Sequence, residues 1–400
     1  MRRRWRWLSG LILGGVLIAG VPAQGAEVEA GKVTLNFSGD LRLRSEYISN
    51  ARFNEGDYRW RQRFRLRFGA TADLTEHTTV GFRLASGPKN DQPSGNQTFD
   101  SENFAKFDFP IDRVFLRYKR ETGPALMTLH IGKFGHPFYT LSGIVWDDDL
   151  QPAGAAEVFN VKGTGLTVAL AQYVIRETDE SKGTGSSLYA EQISWKGDVG
   201  ATALGAGVAY YGFSNPTQIA SDAKASSSDF TTNKNFGTCD GKNPGICTGE
   251  LSDFRILNLN AEATLKQLPL PLRLVFEYVN NLGAKEASVG GTSFGKENTA
   301  WLAAAYYGKA KEKEDWRVGA GYTQIEADAA LANFNSDDYQ QTNVNTLFSE
   351  LRYQLQSKLY VIYDGYYQKR NNFDLAKANG NPATDNTTVY RHRLSLIVEF

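Results

Sequence analysis

The chain has 400 residues with 44 basic and 44 acidic side chains, so its formal net charge is zero and nothing in it points to a nucleic-acid partner. It is rich in rings, with 23 Phe, 19 Tyr and 7 Trp, yet its mean hydropathy is −0.40. No stretch after the amino terminus approaches 18 consecutive apolar residues, which excludes a transmembrane helix; a transmembrane β-barrel, whose strands face lipid only at alternate residues, reconciles many rings with a polar mean.

The first residues, MRRRWRWLSGLILGGVLIAGVPAQGAEVEAG, pass from four arginines through an apolar run, Leu8 to Val21, to small residues around Ala23, Gly25 and Ala26. That order is the pattern of a cleaved secretory signal, and a run of about 14 falls short of the roughly 20 residues a spanning helix needs. The expected division is a signal peptide over 1–25 and a single barrel domain over 26–400. Removing Arg2, Arg3, Arg4 and Arg6 leaves 40 basic residues against 44 acids, a net charge of about −4.

From Val33 to Tyr47 the chain alternates. Val33, Leu35, Phe37, Leu41, Leu43 and Tyr47 fall on one face, and Asp40, Arg42, Arg44 and Glu46 on the other. The next segment, YRWRQRFRLRF, sets Arg59, Arg61, Arg63, Arg65 and Arg67 at every second position, with rings and Leu66 between them. On a helix that spacing scatters the arginines around the cylinder; on a strand it puts all five on one side. A half-buried soluble strand satisfies the same pattern, so the rest of the chain has to decide. Facing lipid, each arginine costs about 2–4 kcal/mol near the midplane, so in a membrane the rings point outward and the arginines inward. Gln62 interrupts the ring face, which suits an interfacial depth or a subunit contact.

Further strands are expected near 78–86, 111–120, 125–134, 156–162, 165–176, 186–196, 199–213, 251–265, 271–281, 298–308, 315–326, 344–355, 358–369 and 387–400, about sixteen in all. Short connections such as ETGP, KGTG and QSK alternate with long ones at 87–110, 135–155, 214–250, 282–297, 327–343 and 370–386. Short periplasmic turns and long extracellular loops are the asymmetry of an outer-membrane barrel, and a soluble sandwich gives no reason for it. Arg83, Arg113 and Arg117, with Lys119, continue the basic face on the third and fourth strands.

Cys239 and Cys247 enclose the turn-forming DGKNPGI. In an exported loop such a pair forms a disulfide, a small ring contributing about 2–3 kcal/mol; a metal site is the alternative, but no third Cys or His lies nearby. His77, His130, His136 and His392 are scattered, and no His-Glu-x-x-His, Gly-x-Ser-x-Gly or phosphate-binding loop occurs. The chain is therefore not expected to be an enzyme, and no metal or cofactor is expected.

The last strand, VYRHRLSLIVEF, alternates apolar positions up to the terminal Phe400. This resembles the carboxy-terminal signal of bacterial outer-membrane proteins, which the barrel assembly machinery reads. With IGKFGHPFYTLSGIVWDDDLQPAGAA at residues 131–156, the chain resembles a bacterial porin, and more narrowly the putative porins. The resemblance implies an outer-membrane homotrimer passing small hydrophilic solutes, with the third long loop folded into the lumen. It also implies that Arg42, Arg44, Arg59, Arg61, Arg63, Arg65 and Arg67 line the pore opposite Asp147, Asp148 and Asp149, making a transverse field. The Pro-Glu-Phe-Gly-Gly run of the enterobacterial members is missing, which leaves the loop's path open.

Two questions follow from the residues. The arginine ladder is either neutralised by Asp40, Glu46, Asp57 and Asp73 or forms a cationic, anion-selective track. The aspartate triplet is either the acidic side of a constriction, a turn or helix cap, or a divalent-cation site. Outside transport, the alternative is a structural or adhesive surface barrel.

Overall fold

A computed structural model describes residues 33–400 except 54, 88–93, 100–105, 178–184, 217–218, 220–251, 290–291, 340–341 and 379–385. The expected signal peptide and the pair Cys239 and Cys247 lie outside the described residues.

Sixteen long strands form the wall. They are β1 (Thr34–Ser49), β2 (Tyr58–Asp73), β3 (Thr78–Ala85), β4 (Ile111–Thr122), β5 (Ala125–Lys133), β6 (Ala153–Val161), β7 (Leu166–Arg176) and β8 (Ser186–Val199). The second half comprises β9 (Thr202–Phe213), β10 (Arg255–Leu265), β11 (Leu272–Asn281), β12 (Thr299–Gly308), β13 (Trp316–Ile325), β14 (Val344–Gln356), β15 (Leu359–Arg370) and β16 (Val389–Glu399). Each pairs antiparallel with its neighbours in sequence, and β1 also pairs with β16, so the sheet closes and has no free edge strand. The expected strands are all present; β6 begins three residues earlier than the alternation suggested.

The seam is closed by Phe400, whose backbone exchanges two 3.0 Å hydrogen bonds with Gly39. Its ring covers that glycine so closely that a Cβ there would come within 2.6 Å of it. β3 is short, and a two-residue strand, Gln97–Thr98, pairs with Arg63 and Phe64 of β2 beyond its end.

The faces are inverted relative to a water-soluble protein. Tyr58 and Trp60 are 76% and 73% exposed on the outer face, whereas Glu46 and Arg393 are 0% and 3% exposed inside. This is the alternation that lipid outside and polar groups inside require. Gln62, on the outer face, donates to Ser45 Oγ at 2.9 Å, as does the Trp60 indole at 3.2 Å, so the polar interruption is satisfied locally.

The apolar core lies inside the barrel. Residues 134–152, the third long loop, bring Phe134, Phe138, Ile144, Trp146 and Leu150 against Tyr173, Tyr211 and Val158 of the wall. Residues 326–343, the seventh loop, add Ala329, Ala330, Leu331 and Tyr339. The entry of the third loop into the lumen agrees with the expectation; the seventh loop joining it is an addition.

Candidate functional site

The register of β1 on β2 places Arg42 opposite Arg65 and Arg44 opposite Arg63, with Glu46 opposite Arg61 and Asp40 opposite Arg67. Like charges directly opposite destabilise a sheet, so this pairing requires counterions from elsewhere. Glu46 accepts from Arg61 Nε at 2.6 Å and Arg391 Nη2 at 3.2 Å, with Arg63 Nη1 4.0 Å away. Asp40 accepts from Arg65 Nη2 at 2.9 Å and Arg67 Nε at 2.5 Å. Asp149 of the third loop supplies the missing acid, accepting from Arg65 Nη1 at 3.0 Å and Arg67 Nη1 at 3.1 Å. On β16, Arg393 is paired with Asp338 of the seventh loop and lies 3.4 Å from Asp364.

The ladder is thus mostly neutralised, by Asp40 and Glu46 as one reading of the sequence expected and by loop acids it did not include. Asp57 is exposed, and Asp73 accepts from Thr79 Oγ1 at 2.6 Å. Arg42 donates to Asn96 Oδ1 at 2.7 Å and Arg44 Nε to Ser395 Oγ at 3.1 Å; among the described residues neither has a carboxylate within 4 Å. Arg59 stands opposite Ile48. Arg83 bonds Asp112 at 2.5 Å, Arg113 donates to Gln151 Oε1 at 2.8 Å, and Arg117 reaches Thr79 Oγ1 at 3.4 Å.

The three aspartates do three different things. Asp147 is buried, and its Oδ1 accepts the Asp149 amide at 2.7 Å, the turn-capping role. Burial, then Asp149 and Asp337, push its carboxyl well above the usual range. Asp148 is exposed to the lumen without an ion pair among the described residues; partial desolvation under the surrounding loops, then the Asp149 charge, raise its carboxyl. Burial opposes ionisation of Asp149 too, but Arg65, Arg42 and Arg67 outweigh it and hold that group below the usual range. Asp338 is likewise held low by Arg393 and Arg391 against its burial.

The far side of the third loop is docked on the wall. Gln192 of β8 accepts from the Tyr139 amide at 2.6 Å and donates to its carbonyl at 2.8 Å. The Tyr139 ring lies where a Cβ on Gly205 would come within 2.7 Å of its hydroxyl, and the Lys196 ammonium sits 4.3 Å over the ring. His136 stacks on Trp146 with centroids 4.5 Å apart and meets the Tyr173 hydroxyl at 3.0 Å. Burial pushes its imidazole down to about 3, so it is neutral. The two loops join where Ser336 N donates to Gly143 O and Asp147 N to Phe334 O, both at 2.8 Å.

Between this arch and the wall is a cavity of about 330 Å³. Arg42 and Arg44 line it from β1, Asp148 and Asp337 from the loops, and Tyr306 and Tyr366 from β12 and β15. Strands this far apart around a ring share a cavity only on its inside, which places these arginines in the lumen. Among the described residues no group of three or more His, Cys, Asp or Glu is arranged to hold a metal ion. Asp337 and Asp338 were missed because the signal that marks them, an Asp-Asp pair in a long loop, also occurs in solvated loops.

A closed sixteen-stranded barrel, apolar outside and charged within, with loops folded across its lumen, is an outer-membrane porin. The chain matches the model of the putative porin family over residues 38–245 and 231–361, and it belongs to that family. It resides in the bacterial outer membrane. A comparison with curated proteins finds no match. Among solved structures it is similar to OprB of Pseudomonas putida, solved at high pH, with 13% identity, 92% of this chain and 94% of that chain covered, and a TM-score of 0.57. It is also similar to an anion-selective porin from Comamonas acidovorans, with 10% identity, 92% and 100% coverage and a TM-score of 0.50. At these identities the likeness is one of fold.

Proposed function

We propose that the protein is a general diffusion porin that passes small hydrophilic solutes and ions through a constriction formed by the basic wall and the third and seventh loops. The observation that carries this reading is the charged cavity lined by Arg42 and Arg44 from the wall and by Asp148 and Asp337 from the loops. Oppositely charged walls give a transverse field in which polar solutes align, while apolar ones lose hydration that nothing replaces. Neutralisation of most of the ladder supports weak rather than strong ion selectivity.

A second reading, an anion-preferring channel, is favoured by Arg113 and Arg117, which have no acid partner within 4 Å among the described residues. Planar-bilayer recording separates the two. Weak selectivity at two salt concentrations supports the first, and a strong anion preference lost in a Arg113→Gln/Arg117→Gln variant supports the second. A folded barrel that conducts no salt overturns both and leaves a structural or adhesive role.

The remaining assignments belong to the same proposal. They are a homotrimer, export through a signal over 1–25, a Cys239–Cys247 bridge in an extracellular loop, and Phe400 as the residue read by the assembly machinery. The outer cluster of half-buried Phe64 with exposed Phe99 and Phe107, whose centroids lie 4.9 and 5.0 Å from Phe64, supports a lipid or subunit contact beside β2.

A further inference from the structure

The cavity between arch and wall has an unusual balance once its ion pairs are set aside. Of the acids lining it, Asp149 is used by Arg65 and Arg67, Asp338 and Asp364 by Arg393, and Glu350 by Arg317 at 2.6 Å. Asp147 is taken up by its own turn, with a carboxyl that burial drives toward the neutral form. What remains is Arg42 and Arg44, bonded only to a neutral amide and a hydroxyl, against Asp148, with no ion pair, and Asp337, whose nearest cation is Arg391 at 4.0 Å. Two open cations face two open anions.

The spacing gives this balance a chemical meaning. Arg42 and Arg44 are two residues apart on one strand face, about 7 Å between Cα atoms, and both line the cavity, so a carboxylate lying between them is within reach of both. Asp148 and Asp337 belong to different loops that meet at the Ser336–Gly143 hydrogen bond, and so present their carboxylates from one side. A simple anion entering here meets two attractive and two repulsive charges, and so does a simple cation. A solute carrying both charges satisfies all four.

The third side of the cavity is aromatic. Phe348 and Tyr366 lie with centroids 6.4 Å apart, and Tyr306 is fixed between Arg273 and Arg317, whose guanidinium carbons are 5.8 and 5.3 Å from its ring. These rings are held by their neighbours and offer an apolar surface next to the charges. A volume of about 330 Å³ is at the small end of ligand pockets, enough for one amino acid.

We propose that the constriction is a binding site for zwitterionic α-amino acids with an apolar side chain: carboxylate on Arg42 and Arg44, ammonium on Asp148 and Asp337, side chain on Tyr306, Phe348 and Tyr366. The proposal rests on the pore reading above and names the solute class it would favour.

The test is single-channel recording in potassium chloride with three added probes: phenylalanine, phenethylamine, which lacks the carboxylate, and 3-phenylpropionate, which lacks the ammonium. Phenylalanine is expected to interrupt the current with an affinity about tenfold above either analogue, the equivalent of one charge-assisted hydrogen bond. A double variant Arg42→Gln/Arg44→Gln should lose that advantage. Because Arg44 is buried and its loss can disturb folding, Asp148→Asn, on an exposed side chain without an ion pair, provides the second arm and should weaken phenylalanine but not 3-phenylpropionate. Equal blockade by all three probes, stronger blockade by 3-phenylpropionate, or variants indistinguishable from the parent overturn the proposal while leaving the pore intact. Absence of salt conductance overturns the pore reading instead.

Discussion

The two walls of the lumen are built from the same repeat and behave in opposite ways. On β16, β1 and β2 the inner positions are mostly arginines and acids, and the loops reach them through polar groups, the carboxylates of Asp149 and Asp338, the Asn96 amide and the Asp337 carbonyl. On β7 to β11 the inner positions include Ala169, Ala171, Tyr173, Ala209, Tyr211, Ile256 and Val279, all buried, and the loops lie on them as on a core. A barrel lumen is thus divided by chemistry into a dry side that holds the constriction loops and a wet side that faces them. The cavity borders the arginines, while the other half is filled.

That contrast can be broken most forcefully at the dry wall. Gly205→Leu removes the slot for Tyr139, and overpacking of this kind costs about 1–3 kcal/mol unless the loop moves. The third loop is expected to leave the wall, and single-channel conductance to rise about twofold; unchanged conductance would mean that the slot does not position the loop.

At the wet wall the effect is on charge. Asp149→Asn leaves Arg65 and Arg67 sharing Asp40 alone, so the reversal potential should move toward anions, with a stability loss of about 2 kcal/mol by urea midpoint, between the values for exposed and buried pairs. Asp147→Asn, at the turn cap, should move it much less. Equal shifts from the two would refute the division of labour within the triplet.

The smallest effect concerns the seventh loop, which is tied to both sides. Asp338 is held low by arginines, so its contribution is present above the ordinary value near 3.8 and is lost as pH falls through its depressed value. Asp328, buried at the other end and bonded by Ser252 Oγ at 2.6 Å, is raised from 3.8 to about 7 by that burial. Its contribution is fully present below 3.8 and is lost as pH rises through about 7. Amide exchange over residues 326–332 should therefore quicken between pH 5 and 8 beyond intrinsic base catalysis, and Asp328→Asn should abolish the extra part. Identical pH profiles in parent and variant would remove Asp328 from the account.

These two walls also explain what the sequence could and could not tell. YRWRQRFRLRF announces its strand and its two faces, and once the rest of the chain places it in a membrane its solvents follow, because arginine and aromatic residues cannot exchange places across a membrane wall. LTVALAQYVIR announces a strand but not which face is inside, since both faces are largely apolar. The third loop was legible only through the resemblance to porins; the burial of Phe138, Ile144 and Trp146 supplies its physical reason. The seventh was not: EADAALANFNSDDY reads as a polar loop, and its Ala329–Leu331 run acquires a core only because the third loop and Phe213 are there to pack against. Counterions are the least legible of all, because Asp149 meets Arg65 across 84 positions of chain that no local pattern connects.

The network around Glu46 joins β1, β2 and β16, so it spans the seam as well as shaping the pore. Arg391 and Glu46 stand 345 positions apart, and in an unclosed chain bringing them together costs about 5 kcal/mol of loop entropy. The guanidiniums to which the proposed function assigns the field therefore also act as the clasp of the ring. A lineage that rewrote these charges to admit a different solute would be altering, with the same substitutions, the last step by which the sheet becomes a barrel.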